Sequence, residues 1–504
     1  MAPSEKPFDA WSPQLLVLLF IVTVLLFKLL SKKDHPRRLP PGPRKLPIIG
    51  NLHQISQPLP LCLQRLAEQH GPLIMLQLGT VRALVISSAE VLRDVIKQHD
   101  LVFSGKPASY VPKKLSYDFH DIFFAPYGEY WRQVRKISIL ELLSPKRVKS
   151  FHSVRMEEVA NVCEVIASSR GPVNISELMA SLANSVICRE AFGRKDFDEE
   201  YKFYELLNEV QEVLGTVNIS DFFPWLGWTI KINGFEKKVE KVFKVLDRFY
   251  DELIEEHRDR SRIGADSSHM DFVDVLVAVQ GDDKQAIKLT VDQIKGIIMN
   301  ILIGGTDPSS SILVWTMTEL MKSPASMKAL KDELTKAANG KEMIEETDFP
   351  QLEYLRMVLK ESFRLHPPLQ LLLRETIQDC KIMGYEIPAN TSVFLNARAI
   401  GRDPNTWEDP LIFRPERFLN SSIDFRGKDL ELIPFGVGRR GCPGINMALP
   451  LVELALANLV HHFDWNMPPG MSPDDIDMED SLGVATQKKT PLILVASPRT
   501  PLRT

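Results

Sequence analysis

The sequence predicts a mainly α-helical protein with a small β portion: one large domain behind an N-terminal transmembrane helix. Amphipathic stretches of helical period fill most of the C-terminal two-thirds of the chain. Strand-like runs are few and short, and an almost wholly apolar run near the N-terminus gives way to basic residues and then prolines. Of 504 residues, 44% are hydrophobic and 25% charged, which suffices for a sizeable core. A formal net charge of −4 argues against nucleic acid as a partner.

The apolar run spans Trp11 to Leu30 and, at about 1.5 Å per residue, reaches about 30 Å, the thickness of a bilayer core. Lys32, Lys33, Arg37 and Arg38 follow it, whereas only Glu5, Lys6 and Asp9 precede it. That order is the reverse of a cleaved signal peptide and predicts a single-pass anchor over residues 1–30, held in membrane lipid, with the body cytosolic. Residues 31–43 form a basic linker ending in Leu-Pro-Pro-Gly-Pro, whose prolines favour an extended strut. Residues 44–504 contain no second linker and are read as one domain. Within it, helical periodicity marks Tyr201–Leu214, Phe235–Arg258, Val291–Met321, Ser326–Ala338, Glu353–Leu365 and Asn446–Phe463. Leu73–Leu78 and Ala83–Ser87 predict one hairpin around Gly79, and Ile382–Ile387 with Ser392–Leu395 predict another. The cysteines, Cys62, Cys163, Cys188, Cys380 and Cys442, are sparse and unpaired in spacing, so no disulfide framework is expected.

One cysteine sits in an unusual context. Residues 435–444 read Phe-Gly-Val-Gly-Arg-Arg-Gly-Cys-Pro-Gly, a tight loop rich in backbone amides that can temper the charge of a sulfur. A helical pattern starts directly behind Cys442, and its N-terminal dipole favours thiolate over thiol. Glu361 and Arg364, three apart, share a helix face, as do Trp131 and Arg135, four apart.

The loop resembles the haem-binding signature of the cytochromes P450 at every defining position. The resemblance extends over the whole chain and is nearest the plant microsomal A-type members around family 71, through Phe124–Trp131, Gly401–Asp403 and His462–Trp465. It implies the cytochrome P450 fold, with haem b (iron protoporphyrin IX) as cofactor and Cys442 as the metal ligand. It further implies that Phe435 in the loop borders the haem and that Arg440, Trp131, Arg135 and Arg374 contact its propionates. Glu361, Arg364 and Arg417 resemble the family's buried structural charge network. The implied activity is an NADPH- and O₂-dependent haem-thiolate monooxygenation of a small hydrophobic metabolite, a terpenoid, alkaloid or phenolic of plant specialised metabolism. NADPH–cytochrome P450 reductase is the implied partner, docking on a basic surface of Lys136, Lys146, Arg147 and Arg439, and the endoplasmic reticulum membrane is the implied location. The pocket is expected from Phe119, Phe123, Leu302, Leu369, Gln370, Leu371, Leu372, Leu482 and Val484, with Gln370 as the polar handle.

Two positions depart from the expected pattern. At Gly304-Gly305-Thr306-Asp307-Pro308-Ser309-Ser310, proline stands where plant relatives usually carry a threonine whose hydroxyl assists proton delivery. A helix-interior proline costs about 3 kcal/mol and predicts a kink. Either Asp307 with Thr306 or Ser309 delivers protons and ordinary oxygenation proceeds, or oxidation without oxygen insertion is favoured: ring closure, coupling, desaturation or dehydration. A haem-binding protein without oxygen chemistry is the alternative of another class; the retained Asp307 and the intact Cys442 loop argue against it. Pro450, inside the helix after Cys442, predicts a kink or a late helix start.

Overall fold

The structure, a computed structural model, describes residues 17, 18, 20–22, 38–195, 197, 203–263, 270–282, 287–481, 483 and 485–499. Apart from the helical residues 17, 18 and 20–22, the predicted anchor lies outside the described residues, as do Leu482 and Val484. The longer helices are α1 (Leu59–His70), α2 (Ala89–His99), α3 (Glu129–Ile137), α4 (His152–Ser168), α5 (Ile175–Phe192) and α6 (Phe203–Gly215). They continue with α7 (Phe235–Ile263), α8 (Phe272–Gly281), α9 (Val291–Lys322), α10 (Pro324–Ala338), α11 (Glu353–Leu365) and α12 (Ile445–His462).

The strands are marginal to this helical mass. β1 (Leu73–Leu78) and β2 (Val81–Ile86) form the predicted hairpin, turning at Gly79 with φ +59°. β4 (Leu371–Glu375) and β7 (Ser392–Asn396) extend that sheet in the order β1-β2-β7-β4. β3 (Val173–Asn174), β8 (Phe463–Asn466) and β9 (Ile493–Pro498) make a second sheet. The other predicted hairpin is corrected. Its first run contains two strands, β5 (Cys380–Ile382) and β6 (Tyr385–Ile387), which pair with each other across Met383 and Gly384, both with positive φ. β7, freed from that pairing, lies parallel to β2 and antiparallel to β4.

Helix α9 organises the domain. A capping box starts it: Thr290 Oγ1 accepts from the Gln293 N–H, and Gln293 Oε1 accepts from the Thr290 N–H. Its first half, Ile294 to Leu302, is buried in a core shared with α5–α8. Its last half, from Ile312, is buried in a second core with α4, α10, α11 and α12. Each fully buried Leu, Ile or Val in these cores contributes about 1.5–3 kcal/mol of transfer free energy. The stretch between, Gly304 to Ser311, joins neither cluster, and within it Gly304 is open to space. A Cβ at Gly305 would lie 2.2 Å from Ile187 Cδ1, so this glycine lets α5 approach closely.

α9 runs unbroken through Pro308. The proline withholds an N–H from the Gly304 carbonyl, yet the helix continues across it. Pro450 likewise lies inside α12, which starts before it at Ile445; the expected late start is not found. The helix nucleates on Gly444, whose carbonyl accepts from Met447 and Ala448 at 2.9 and 3.0 Å.

Candidate haem-thiolate site

The cysteine loop is shaped by backbone requirements. Gly436 and Gly438 have φ of +72° and +63°, and a Cβ at Gly438 would lie 2.2 Å from Asp100 Oδ1. Asp100, at the end of α2, accepts from the Arg439 N–H at 3.3 Å and pairs with its guanidinium at 3.0 Å. The loop closes where the Cys442 N–H donates to the Phe435 carbonyl at 2.7 Å. The Phe435 ring rests on Phe363 and Phe425, with centroids 5.1 and 5.7 Å away.

The Cys442 sulfur accepts the Gly444 N–H at 3.3 Å at the threshold of α12. Burial pushes the thiol up, while the Gly444 amide, the Arg135 charge and the Ile445 amide pull it down. Cys442 is also surface-accessible. Both hold for a side chain lining a hollow inside the protein, and a bound metal ion there would deprotonate the thiol outright.

Cations gather beside this sulfur. Arg135 donates to the Gly441 carbonyl at 2.6 Å, and Arg374 to the Val437 carbonyl at 2.6 Å. Arg440 donates to the Ser104 and Ala125 carbonyls at 2.8 and 2.7 Å, with its guanidinium 4.3 Å from the Trp131 ring centroid. The Trp131 indole N–H itself donates to the Ile122 carbonyl at 2.9 Å, so Trp131 meets the cluster through its ring face. Burial lowers both Arg374 and Arg440 to about 10, with Arg135 adding to it at Arg374 against the pull of Asp100, and Arg374 and Arg135 adding to it at Arg440. Nη1 of Arg374 and Nη1 of Arg440 are buried without a partner. Sequence reasoning missed a fourth cation in this role. Lys106 donates to the Leu373 carbonyl at 2.9 Å, lies 4.0 Å from the Phe123 ring centroid, and is lowered to about 7 by burial, Arg374 and Arg440. No motif spacing marks Lys106; only the fold brings it to the arginines.

Buried, mutually repelling cations with unpaired donors call for an anionic partner. The two propionates of a haem supply one, and an accessible sulfur beside the cluster supplies its axial ligand. The residues therefore fit the group that the loop motif implies.

On α9, a Cβ at Gly304 would meet nothing within 4 Å, so the helix is open at this residue. Asp307 is raised to about 6 by burial alone. Thr306 Oγ1 donates to the Leu302 carbonyl at 2.8 Å, and Ser309 is buried. Gln487 donates to the Asp307 carbonyl at 3.2 Å, docking the C-terminal segment on α9. Of the expected pocket residues, Phe123 is exposed and Phe119 and Leu369 are half-buried. Leu302 is packed in the core, while Leu371 and Leu372 lean on the sheet, with Leu372 against Gly436. Gln370 is buried and donates to Asp480 at 2.8 Å. The loop residues face α9 through Asn300, which accepts from the Ile122 and Phe123 N–H groups and donates to buried Asp121.

Beneath the loop, Glu361 and Arg364 are fully buried and doubly hydrogen-bonded at 2.7 and 2.8 Å. Arg417 donates to Glu361 at 2.9 Å, and the remaining Arg364 donors reach the Gly401, Pro410 and Ile412 carbonyls. Every charge there has partners, which is what makes burying it tolerable. Of the basic surface, Lys136 and Lys146 are exposed, whereas Arg147 donates to the Met270 carbonyl and Arg439 pairs with Asp100.

Known proteins are similar to this chain over nearly its whole length. Strychnine-11-hydroxylase of Strychnos nux-vomica is 50% identical, covering 95% of this chain and 96% of its own. Cytochrome P450 71A9 of Glycine max is 51% identical over 96% of this chain and 98% of its own, and melianol synthase of Citrus sinensis is 40% identical over 97% of each. A zebra fish cytochrome P450 solved with progesterone superposes with a TM-score of 0.76 at 23% identity, covering 88% of this chain and 100% of that one. Membership of this family implies haem b and electrons from a reductase. With the cytochrome P450 family model matching residues 40–495, the chain belongs to the cytochrome P450 family, alongside plant family 71, and is an oxidoreductase of the monooxygenase class.

Proposed function

We propose that the chain is a membrane-tethered monooxygenase of the endoplasmic reticulum that draws NADPH electrons through cytochrome P450 reductase. Its substrate is a small hydrophobic metabolite of the terpenoid, alkaloid or phenolic kind. The observation that carries this reading is the accessible Cys442 sulfur flanked by buried, partnerless arginine donors. Cys442 would hold the iron; Arg374, Arg440, Arg135 and Lys106 would hold the propionates. When bound, the haem supplies the O₂ activation that oxidises the substrate. The chain's own residues orient and protect. The loop stapled to Asn300 excludes water from one side, and Asp307, held near neutrality, passes protons inward. Insertion of one oxygen is favoured by the 50% identity to a relative named as a hydroxylase.

Tethering has its own support. Val217, Ile219, Trp225, Trp228 and Ile232 form a run of exposed apolar side chains between α6 and α7. The run is fixed to the β1–β2 turn, where the Thr80 N–H donates to the Phe222 carbonyl at 2.9 Å, and Gly79 beside it donates to Ile49. Leu39, Leu46 and Ile49, where the chain leaves the predicted anchor, are exposed as well. Exposed amphipathic Trp beside apolar Val and Ile suits a bilayer interface.

A second reading rests on Pro308. No hydroxyl stands at 308, and that of Thr306 is bonded to its own helix. Proton delivery altered at Pro308 would favour oxidation of the substrate without oxygen insertion. Microsomes carrying the protein and a plant reductase, given NADPH, ¹⁸O₂ and a plant extract, decide between the two. One labelled oxygen in the product is expected. Loss of two hydrogens without label, reverting to labelled product in Pro308→Thr, would replace the first reading by the second.

A further inference from the structure

Three consecutive residues other than glycine, Tyr117, Asp118 and Phe119, hold φ of 52°, 63° and 64°. With a Cβ, the left-handed region is crowded against the neighbouring carbonyl, so such a run persists only where its surroundings over-determine it. Here the surroundings are specific. Tyr117 Oη donates to Asp247 Oδ1 on α7 at 2.9 Å. Lys295 on α9, its side chain 5% exposed, donates to the same oxygen at 2.6 Å and pairs with Asp251 at 2.7 Å. The Tyr117 ring packs on Phe243 with centroids 5.3 Å apart, and Lys295 Nζ lies 5.6 Å from the Tyr117 ring centroid. Burial works against the Lys295 charge, but Asp247 and Asp251 outweigh it and the lysine stays cationic.

The turn also touches α9 through backbone. A Cβ at Gly296 would lie 2.2 Å from the His120 carbonyl oxygen. Ile122 and Phe123, next along the chain, donate to Asn300, one helical turn before the bare Gly304. The strained turn is therefore the outer end of the loop that flanks the cavity beside Gly304. Without its contacts to α7 and α9 the turn keeps only local bonds, among them Asp118 N–H to the Lys113 carbonyl at 2.8 Å and Phe119 N–H to Ser116 Oγ at 3.0 Å, and is freer to relax towards the right-handed or extended region, carrying Phe119 with it.

We propose that Lys295, Asp247 and Tyr117 form a latch holding the Tyr117–Phe119 turn against α7 and α9, and that this latch sets how fast bulky ligands enter and leave the pocket. The proposal rests on the reading of the cavity beside Gly304 as the substrate pocket. Lys295 is a positioning residue: it acts through the turn.

The test uses the haem-loaded full chain and two probes that ligate haem iron, imidazole and the much larger clotrimazole, followed by the absorption change on mixing. Deuterium uptake over residues 113–121 is measured in parallel. In Lys295→Met, clotrimazole association and dissociation should both rise about fivefold as the open population grows. Imidazole rates should stay unchanged and uptake over 113–121 should quicken. Lys295→Arg should restore both readouts, and Tyr117→Phe, which removes one hydrogen bond, should give a smaller change in the same direction. If Lys295→Met does not load haem, Tyr117→Phe decides. Unaltered clotrimazole rates overturn the proposal, whether uptake quickens or not. A wild type that binds imidazole but not clotrimazole would sink the pocket reading instead, and the gating with it.

Discussion

Asp307 carries no formal partner charge, and burial alone moves its carboxyl from the usual range to about 6. For an acid raised in this way the protonated form dominates below about pH 6 and the carboxylate above it. Near neutrality the carboxylate prevails, with a protonated minority, which suits a group that must accept a proton from outside and release it inward. Turnover should therefore show an inflection near pH 6 that disappears in Asp307→Asn, with kcat falling about 10²-fold or more. An Asp307→Asn enzyme with the wild-type pH profile and rate would remove Asp307 from the proton path. At this scale the sequence was legible wherever a motif fixes spacing: Cys442 with its glycines, Glu361 with Arg364. Lys106 and Asp100 were not legible, because their roles come from charges distant in the chain, and a lone Lys or Asp is ordinarily a solvated surface group.

Elements were legible where one face repeats. α11 matches its predicted span residue for residue, α9 differs by one residue at its C-terminal end, and α12 by one residue at each end. The β5–β6 hairpin was misread because Met383-Gly384 interrupts what looks like one short apolar run, and pairing across a sheet is not written in local periodicity. Another interaction between elements, also invisible in sequence, joins α7 to α8. His257 Nδ1 lies 2.7 Å from the Leu253 carbonyl, and Nε2 lies 2.9 Å from Asp271, the residue that caps α8. Both ring nitrogens face acceptors, so the imidazolium is the form that satisfies them. Desolvation opposes that charge, but Asp271 and the Leu253 carbonyl outweigh it, and His257 is raised above its ordinary value. A histidine raised on folding contributes stability that is fully present below its unfolded pKa, about 6.5, and is lost as pH climbs through the folded value. The thermal midpoint of His257→Gln should thus fall furthest below wild type in mildly acidic buffer, and the gap should narrow towards alkaline pH. A gap independent of pH would mean the ring acts by packing and not by charge.

For the molecule as a whole, the sequence predicts an anchored body but does not point to a part of that body that would meet the membrane, because Trp225, Trp228 and Ile232 are scattered in a turn-rich segment without period. Only the fold shows that these side chains stay exposed while Phe223 is buried. They lie on a segment hydrogen-bonded to the β1–β2 turn, itself joined to the chain as it leaves the linker. The exposed Leu39, Leu46 and Ile49 are thus tied to the patch through the β1–β2 turn, and on the proposed reading both would enter one bilayer and fix the tilt of the body. A chain shortened by residues 1–37 should then still sediment with phospholipid vesicles. Trp225→Ser with Trp228→Ser in that background should weaken its partition roughly 10- to 100-fold, since each indole forfeits a kilocalorie or so of interfacial transfer. Salt should matter little, because the patch is apolar. If the shortened chain stays in the supernatant, or its binding vanishes on raising ionic strength while the double replacement does nothing, the body does not dip into the bilayer at Trp225 and Trp228, and the N-terminal run alone would have to set its orientation.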